Sequence, residues 1–348
     1  MSRESLAHGH GASLLTAHMR TTPEDFRVDE IDAFDASGSG EHLLLAVEKR
    51  GMNTAFAARR IAQWAGVAES AIGYAGLKDR HAVTRQRFSV WLPKKVAPST
   101  ETLEAEDFKV LSADWHARKL PRGALAANRF ALVLREVKGE RSGIEARLRD
   151  IAARGVPNYF GEQRFGRAGD NVAQAHAMFA GRRVRREERS ILLSAARSEI
   201  FNAVLDRRVS RGDWERGIDG DVFMLDGSHS VFGPVDIDNT IKSRVAGFDI
   251  HPTGAMWGRG ELRTQGDAQA IETGVAQAHA DLCSGLEAAG LKQERRSLRL
   301  PGPELTWEWP GDDVLALSFQ LPPGAYATTV LRELGEVHDI ANRAIGTR

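Results

Sequence analysis

Apolar and polar positions alternate in short stretches along the first part of the chain, and each stretch predicts a strand. Phe26, Val28 and Ile31 mark one, residues 43–47 another, and residues 71–75 and 88–92 a pair around a polar segment. Residues 36–41 (Ala-Ser-Gly-Ser-Gly-Glu) suit a turn before the second strand. Asn53 or Thr54 caps a helix reaching about Ala65, with Phe56, Ala57 and Ile61 near one face. Residues 108–111 read as a short strand, 115–123 as a basic loop (His116, Arg118, Lys119, Arg122) and 128–137 as a buried strand. Ser142 and Glu145 match a capping box for a helix ending near Gly155, whose buried stripe is Ile144, Leu148 and Ile151. Residues 1–20 predict a loosely structured lead-in, with His8 and His10 in a flexible tail rather than a metal site.

The texture changes at 156–168, where Tyr159, Phe160 and Phe165 interleave with Gly161, Gly166, Arg164 and Arg167. Such a mixture serves base stacking and phosphate contact, or equally a packed turn. Helices follow over about 170–180 and 189–208, separated by Arg182-Arg183-Val184-Arg185-Arg186, the densest basic cluster in the chain. Residues 220–262 suggest a β-rich region. Asp236 and Asp238 there hint at a metal pair, but no third ligand is identifiable. A helix covers about 266–289, and strands return at 297–300, 305–309 and 314–321 before a final helix opening at 325–334. Strands and helices mixed without a regular βαβ repeat give an α+β class. No Gly-x-Gly-x-x-Gly opens a helix after a strand, which leaves a dinucleotide fold unsupported. One arrangement completes the sheet of 20–140 with residues 300–348 and leaves the middle inserted.

Composition narrows the setting. With 348 residues, 42% of them hydrophobic and 27% charged, the chain has room for two domains with real cores. One cysteine, Cys283, excludes an internal disulfide framework and a thiolate metal cluster, which fits a reducing, cytoplasmic setting. No signal peptide is recognisable at the start, and no apolar run approaches the ~20 residues of a membrane span. Net charge is zero, which argues against a protein that coats nucleic acid but not against a local basic groove. All but nine of the 47 basic residues are arginine, the cation suited to phosphate and base recognition.

The candidate chemistry lies between the paired strands at 71–75 and 88–92. Asp79 sits there between Lys78 and Arg80. A charged hairpin tip is the commoner reading of such a segment taken alone. A carboxylate flanked by cations on a loop held by strands is the catalytic one, since rigid elements can hold a reactive loop. Either neighbouring cation would favour the ionised form, and spacing does not decide which faces it.

Motifs over nearly the whole chain bear on the choice. They are Pro23-Glu24-Asp25-Phe26, Ala75-Gly76-Leu77-Lys78-Asp79-Arg80 through Thr84 and Gln86, and Lys119-Leu120 through Asn128-Arg129-Phe130. Asn158 through Gly166, Thr253-Gly254 with Trp257-Gly258, and Leu321-Pro322 through Leu334 complete the set. In this order they resemble the TruD family of tRNA pseudouridine synthases. The resemblance implies an α+β pseudouridine synthase catalytic domain, with a mixed, mainly antiparallel sheet flanked by helices, over 1–153 and 303–348. An α/β TRUD-specific domain would be inserted over 154–302. It implies tRNA as substrate with uridine 13 isomerised, no cofactor or metal, no membrane or protein partner, and a cytoplasmic monomer. The family's catalytic aspartate falls on Asp79, its uridine-contacting phenylalanine on Phe26, and its Asn-x-Phe pair on Asn128 and Phe130. Its C-terminal aromatic falls on Tyr326, where many members have phenylalanine. The basic residue before the Pro-Glu-Asp-Phe motif falls on Arg20, where some members have lysine. Lys78 and Arg80 join the substrate-binding set, and Arg182, Arg183, Arg185 and Arg186 are candidates for RNA contact.

Those residues suit the reaction the family catalyses. It cleaves the N1–C1′ bond of uridine, turns the base and rejoins it through C5, with no redox change and no net hydrolysis. One carboxylate serves, as a nucleophile at C1′ or as a base on the sugar. Two other classes stay open on the residues alone. A non-catalytic RNA-binding protein would need the basic and aromatic elements but not Asp79. A carboxylate glycosidase acting on free nucleosides would need a paired acid, which Glu24, Asp25, Asp29 or Glu30 could supply.

Overall fold

A computed structural model describes residues 6–166, 169–302 and 304–343. These fall into two compact units, one drawn from 14–144, 303–324 and 335–348, the other from 1–13, 145–302 and 325–334.

The first unit is built on one large sheet. Its strands are β1 (Leu15–Met19), β2 (Phe26–Asp32), β3 (His42–Arg50), β4 (Ile72–Tyr74), β5 (Val83–Trp91), β6 (Phe108–His116) and β7 (Leu125–Lys138), and later β14 (Thr306–Gly311), β15 (Val314–Leu321) and β16 (Gly335–Asp339). The main order is β14-β15-β7-β2-β5-β3-β6, with β4 on β5 and β1 joining β7 to β16. The pairs β2–β5 and β1–β16 are parallel and the others antiparallel, so the sheet is mixed and mainly antiparallel, as expected. Helix α1 (Thr54–Ala65) covers one face, burying Ala57, Ala58, Ile61 and Ala62 against Leu45, Val47, Phe88 and Val90. Asn53 caps it by accepting from the Phe56 amide, and Gly66 ends it in the left-handed region. β14 and β15 complete the sheet after the long middle segment, through the register Phe130↔Phe319.

Three expectations need correction here. The lead-in holds a strand, β1, whose parallel partner β16 is formed by the chain end expected to be helical. Neither strand is apolar enough to announce itself: only Leu15, Ala17 and Met19 of β1 are buried, and β16 is half-buried at most. β5 starts at Val83, so Thr84 to Arg87 belong to the strand and the polar loop ends earlier. The Ser142–Glu145 capping box does not form. Glu140 caps α2 (Arg141–Arg154) instead, accepting from the amides of Ser142 and Gly143 at 3.2 and 2.8 Å.

The second unit holds β8 (Val156–Pro157), α3 (Asp170–Phe179), α4 (Arg186–Ser210), β9 (Phe223–Leu225), β10 (Val231–Phe232), α5 (Asn239–Ala246) and β11 (Ile250–Met256). α6 (Gly266–Ala278), α7 (Ala280–Ala288), β12 (Glu294–Ser297), β13 (Arg299–Leu300) and α8 (Ala327–Arg332) follow. The strands make a small sheet, β10-β9-β11-β12, and the pair β13-β8. Leu192, Ala196, Ile200 and Val204 of α4 form a buried stripe against Val275, Leu282 and Leu286. The single helix expected over 266–289 is broken at His279, whose backbone leaves the helical region (φ −119°, ψ 33°). Asp238 caps α5 by accepting from the Ile241 amide, which explains it without a metal, and no metal-binding cluster exists among the described residues.

The N-terminal tail is packed rather than flexible from residue 6 onward. The Ala7 amide donates to Asp206, and the His10 ring lies 2.7 Å from the Gly155 carbonyl with its edge on Trp214. Burial lowers the pKa of His10 and is the main cause of its shift. Nearby, Arg208 is 2% exposed and spends its guanidinium on Asp213, Asp221 and the carbonyls of Asp213 and Arg216. Among the described residues no helix is long and apolar enough to cross a membrane.

Candidate active site

The loop 75–82 joins β4 to β5, and four contacts pin its backbone. The Ala75 carbonyl accepts from the Gly123 amide and the Ala82 carbonyl from the Gly51 amide, at 2.7 and 3.1 Å. Gln86 on β5 donates to the Gly76 carbonyl at 2.6 Å. Thr54, the first residue of α1, accepts from the Lys78 amide at 2.8 Å and donates to Gln86 at 3.1 Å. The capped start of a helix and a central strand therefore fix the loop, an arrangement that reduces the ordering cost of a reactive group.

Asp79 stands on this loop with its carboxylate half exposed, and the cation that holds it is Arg20. Arg20 Nη2 donates to Asp79 Oδ2 at 2.6 Å, and Nη1 donates to Asp339 Oδ2 at 2.5 Å. Neither sequence neighbour takes that part. Lys78 turns to Glu30, 2.6 Å away, and both side chains are buried. Arg80 is exposed and forms no ion pair among the described residues. Arg20 is itself buried at 7% exposure, with its guanidinium 4.0 Å from the centre of the Phe26 ring. It follows β1 directly and has φ of 58°, a left-handed backbone that costs a non-glycine residue about 1–2 kcal/mol. That strain aims one guanidinium at two carboxylates and a ring.

Two of the expected aromatics, Phe26 and Phe130, meet beneath it. Val28 and Phe130 are cross-strand partners, as are Phe130 and Phe319. Phe130 stacks on Phe319 at 5.5 Å and meets Phe26 edge-on at 6.3 Å. Phe26 and Phe130 are 4% and 7% exposed, and Phe26 lies under the Arg20 guanidinium. Asn128 lies on the same face of β7, opposite Glu30 and Leu321, and its Oδ1 is buried without a hydrogen-bond partner. Tyr326 belongs to the other unit, half-buried at the start of α8. Arg182, Arg183, Arg185 and Arg186 also lie there, exposed at the start of α4, with Arg182 bonded to Glu188 at 2.9 Å. Arg167 falls outside the described residues.

Residues that the sequence does not single out complete the site: Asp339, Glu30 as the partner of Lys78, Thr54, Phe319 and Lys49. Only Phe319 carries a signal, through its alternation with Leu315, Leu317 and Leu321. The acids that a nucleoside glycosidase would need are engaged as ion-pair partners. Glu24 pairs with Arg50, Asp25 with Arg135 and Glu30 with Lys78, while Asp29 lies 3.9 Å from Arg85.

Lys49 is 1% exposed, donates to the Met52 carbonyl at 2.6 Å and faces Thr84 in the sheet register. Burial pushes its pKa down from 10.5 to about 8, Lys78 adds to the fall, and Asp79 and Glu30 oppose it. Between those two values the unfolded chain keeps a proton that the folded protein has released, so stability should rise with pH across this window. A shift of this size corresponds to roughly 3 kcal/mol. Urea unfolding from pH 8 to 10.5 should show that rise in the wild type and a flatter profile in Lys49→Met.

Comparison with known proteins places this fold. The family model described as tRNA pseudouridine synthase D (TruD) matches residues 11–178 and 169–334. The chain is 57% identical to tRNA pseudouridine synthase D of Xanthomonas campestris pv. campestris (strain B100), covering 99% of this chain and 98% of that one. It is 49% identical to the protein of the same name from Methylococcus capsulatus, over 96% and 95% of the two chains. A crystal structure of a putative tRNA pseudouridine synthase D from Methanosarcina mazei shares the fold, with a TM-score of 0.75 and 21% identity over 94% of this chain and 95% of that one. The chain belongs to the TruD family of tRNA pseudouridine synthases, which are isomerases.

Proposed function

We propose that this enzyme converts uridine 13 of tRNA to pseudouridine, with Asp79 as the single catalytic carboxylate and no cofactor. What carries the reading is the pairing of a half-exposed Asp79 with a buried Arg20 on a loop pinned by Thr54 and Gln86, in a chain of this family. Arg20, bridged to Asp339, holds the carboxylate in one place while leaving part of it open to substrate. From that position it reaches C1′ as a nucleophile or a sugar proton as a base. The N1–C1′ bond breaks, the uracil turns, C5 bonds to C1′, and the C5 proton moves to nitrogen.

The uridine must leave its stack first, at a cost of a few kcal/mol. Phe130 offsets this by ring contact, by about 1–3 kcal/mol. The unpartnered Asn128 carbonyl oxygen is a ready acceptor for the N–H of a uracil edge. On this reading the catalytic domain comprises 1–153 and 303–348, and 154–302 is the insert. Mapping of pseudouridine by mass spectrometry in tRNA treated with the pure protein tests the assignment; unmodified position 13 would overturn it.

The basic cluster at the start of α4 gives a second expected result. Replacing Arg182, Arg183, Arg185 and Arg186 with Glu should weaken tRNA binding by about tenfold or more at moderate salt and flatten the dependence of affinity on salt concentration. Filter binding across a KCl series measures both. Unchanged affinity would make the cluster an ordinary solvated surface.

A further inference from the structure

Two arginines in the second unit lack the counter-charge their surroundings call for. Phe160 lies in the aromatic stretch after β8. Its backbone is clamped from both sides by Asn202 of α4, with the Phe160 amide donating at 2.9 Å and its carbonyl accepting at 3.0 Å. The ring meets Phe201 edge-on. Arg296 of β12 sits 4.1 Å from the centre of that ring, and Arg164 approaches the same ring at 5.3 Å. Their hydrogen bonds are few and go to neutral partners. Arg296 donates to Asn158 Oδ1 at 2.5 Å, and Arg164 to Ser194 Oγ at 2.8 Å. The Nε atom of each is buried without a hydrogen-bond partner. Burial pushes the Arg296 pKa down to about 10, with the neighbouring Arg164 charge adding to the fall, so its guanidinium remains charged at neutral pH.

Arg208 in the same unit shows the structural alternative. There a buried guanidinium is met by two carboxylates and two carbonyls. Among the described residues Arg164 and Arg296 have no carboxylate at all. Two like charges on one ring, each with a desolvated and unused donor, are unfavourable until an anion joins them. A planar fork of donors suits an oxygen anion with several acceptors.

The geometry points to a phosphodiester seat: Arg164 and Arg296, stacked on Phe160, together grip one backbone phosphate of the bound RNA. This rests on the tRNA reading above. It assigns a function to the aromatic–arginine stretch at 158–166 that neither Asp79 nor its neighbours use.

The test is tRNA affinity between 50 and 200 mM KCl for wild type, Arg164→Gln, Arg296→Gln and the double variant. One phosphate contact contributes about 0.7–0.9 to the slope of log affinity against log salt. The double variant should lose about that much slope and bind about tenfold more weakly at low salt, with Arg164→Gln showing part of the loss. Because Arg296 also packs on two rings, its variants are judged only if their melting matches wild type. Otherwise Arg164→Gln decides, together with melting of wild type in inorganic phosphate against chloride of equal ionic strength. Phosphate should raise the wild-type midpoint more than that of Arg164→Gln. Wild-type slope and affinity in a folded variant, with no phosphate-specific shift, would overturn the seat. Failure of the tRNA reading would look different, since wild-type protein would then form no pseudouridine.

Discussion

Asp79→Asn should abolish pseudouridine formation, lowering the single-turnover rate by more than about 10³-fold, the scale on which an essential nucleophile or base contributes. The amide is nearly isosteric and can still accept one hydrogen bond from Arg20, so the loop held by Thr54, Gln86 and Gly51 should keep its shape. tRNA affinity should therefore stay within a few-fold of wild type, as it should for Asp79→Ala. Quenched single-turnover assays with saturating enzyme separate the two quantities. Turnover by either variant at more than a few per cent of the wild-type rate would remove Asp79 from the chemistry. Loss of binding alone would make it a substrate contact. Retained binding without turnover also excludes the non-catalytic RNA-binding alternative.

Arg208→Met should cost about 3–5 kcal/mol of stability, because it leaves Asp213 and Asp221 buried without their cation. For a protein of this size that lowers the melting midpoint by about 4–7 °C. Burial already raises the Asp221 pKa against the pull of Arg208, so the carboxyl should take up a proton more readily once the guanidinium is gone. A carboxyl whose folded pKa is raised destabilises the protein as pH climbs through it, so the loss should shrink on acidification. Adding Asp221→Leu should recover part of the deficit, since an apolar pair carries no desolvated charge. Calorimetry of the three proteins at two pH values checks all of this, and an Arg208→Met midpoint within 2–3 °C of wild type would show the network to be dispensable.

Much of the scaffold was legible because its signals are local. The Asn53 cap, the apolar face of α1, the alternation through residues 315–321 and the helical stripe of Ile144, Leu148 and Ile151 each lie within a few turns or one strand. The parts that were not legible are decided across long separations. β1 and β16 carry few apolar residues and owe their existence to each other and to β7. Glu140 rather than Ser142 caps α2 because its longer side chain folds back to the first amides. At the candidate site, adjacency suggested Lys78 or Arg80 as the partner of Asp79. Lys78 instead satisfies a buried Glu30 brought alongside by the β2–β5 pairing, and the guanidinium comes from 59 residues upstream. Asp339 had no signal at all, being one acid on a polar strand.

The bridge from Arg20 to Asp339 spans 319 residues of sequence, so it ties the first strand of the sheet to the last. β7 likewise waits for β15, more than half the chain away. Synthesis runs from the N-terminus at about 5–20 residues per second. For most of its time on the ribosome, then, the growing chain contains Asp79 but lacks the carboxylate that completes the grip on Arg20. Pairings this distant also make for slow folding. The carboxylate loop is thus translated early, and the grip on its arginine closes only once residue 339 has been made.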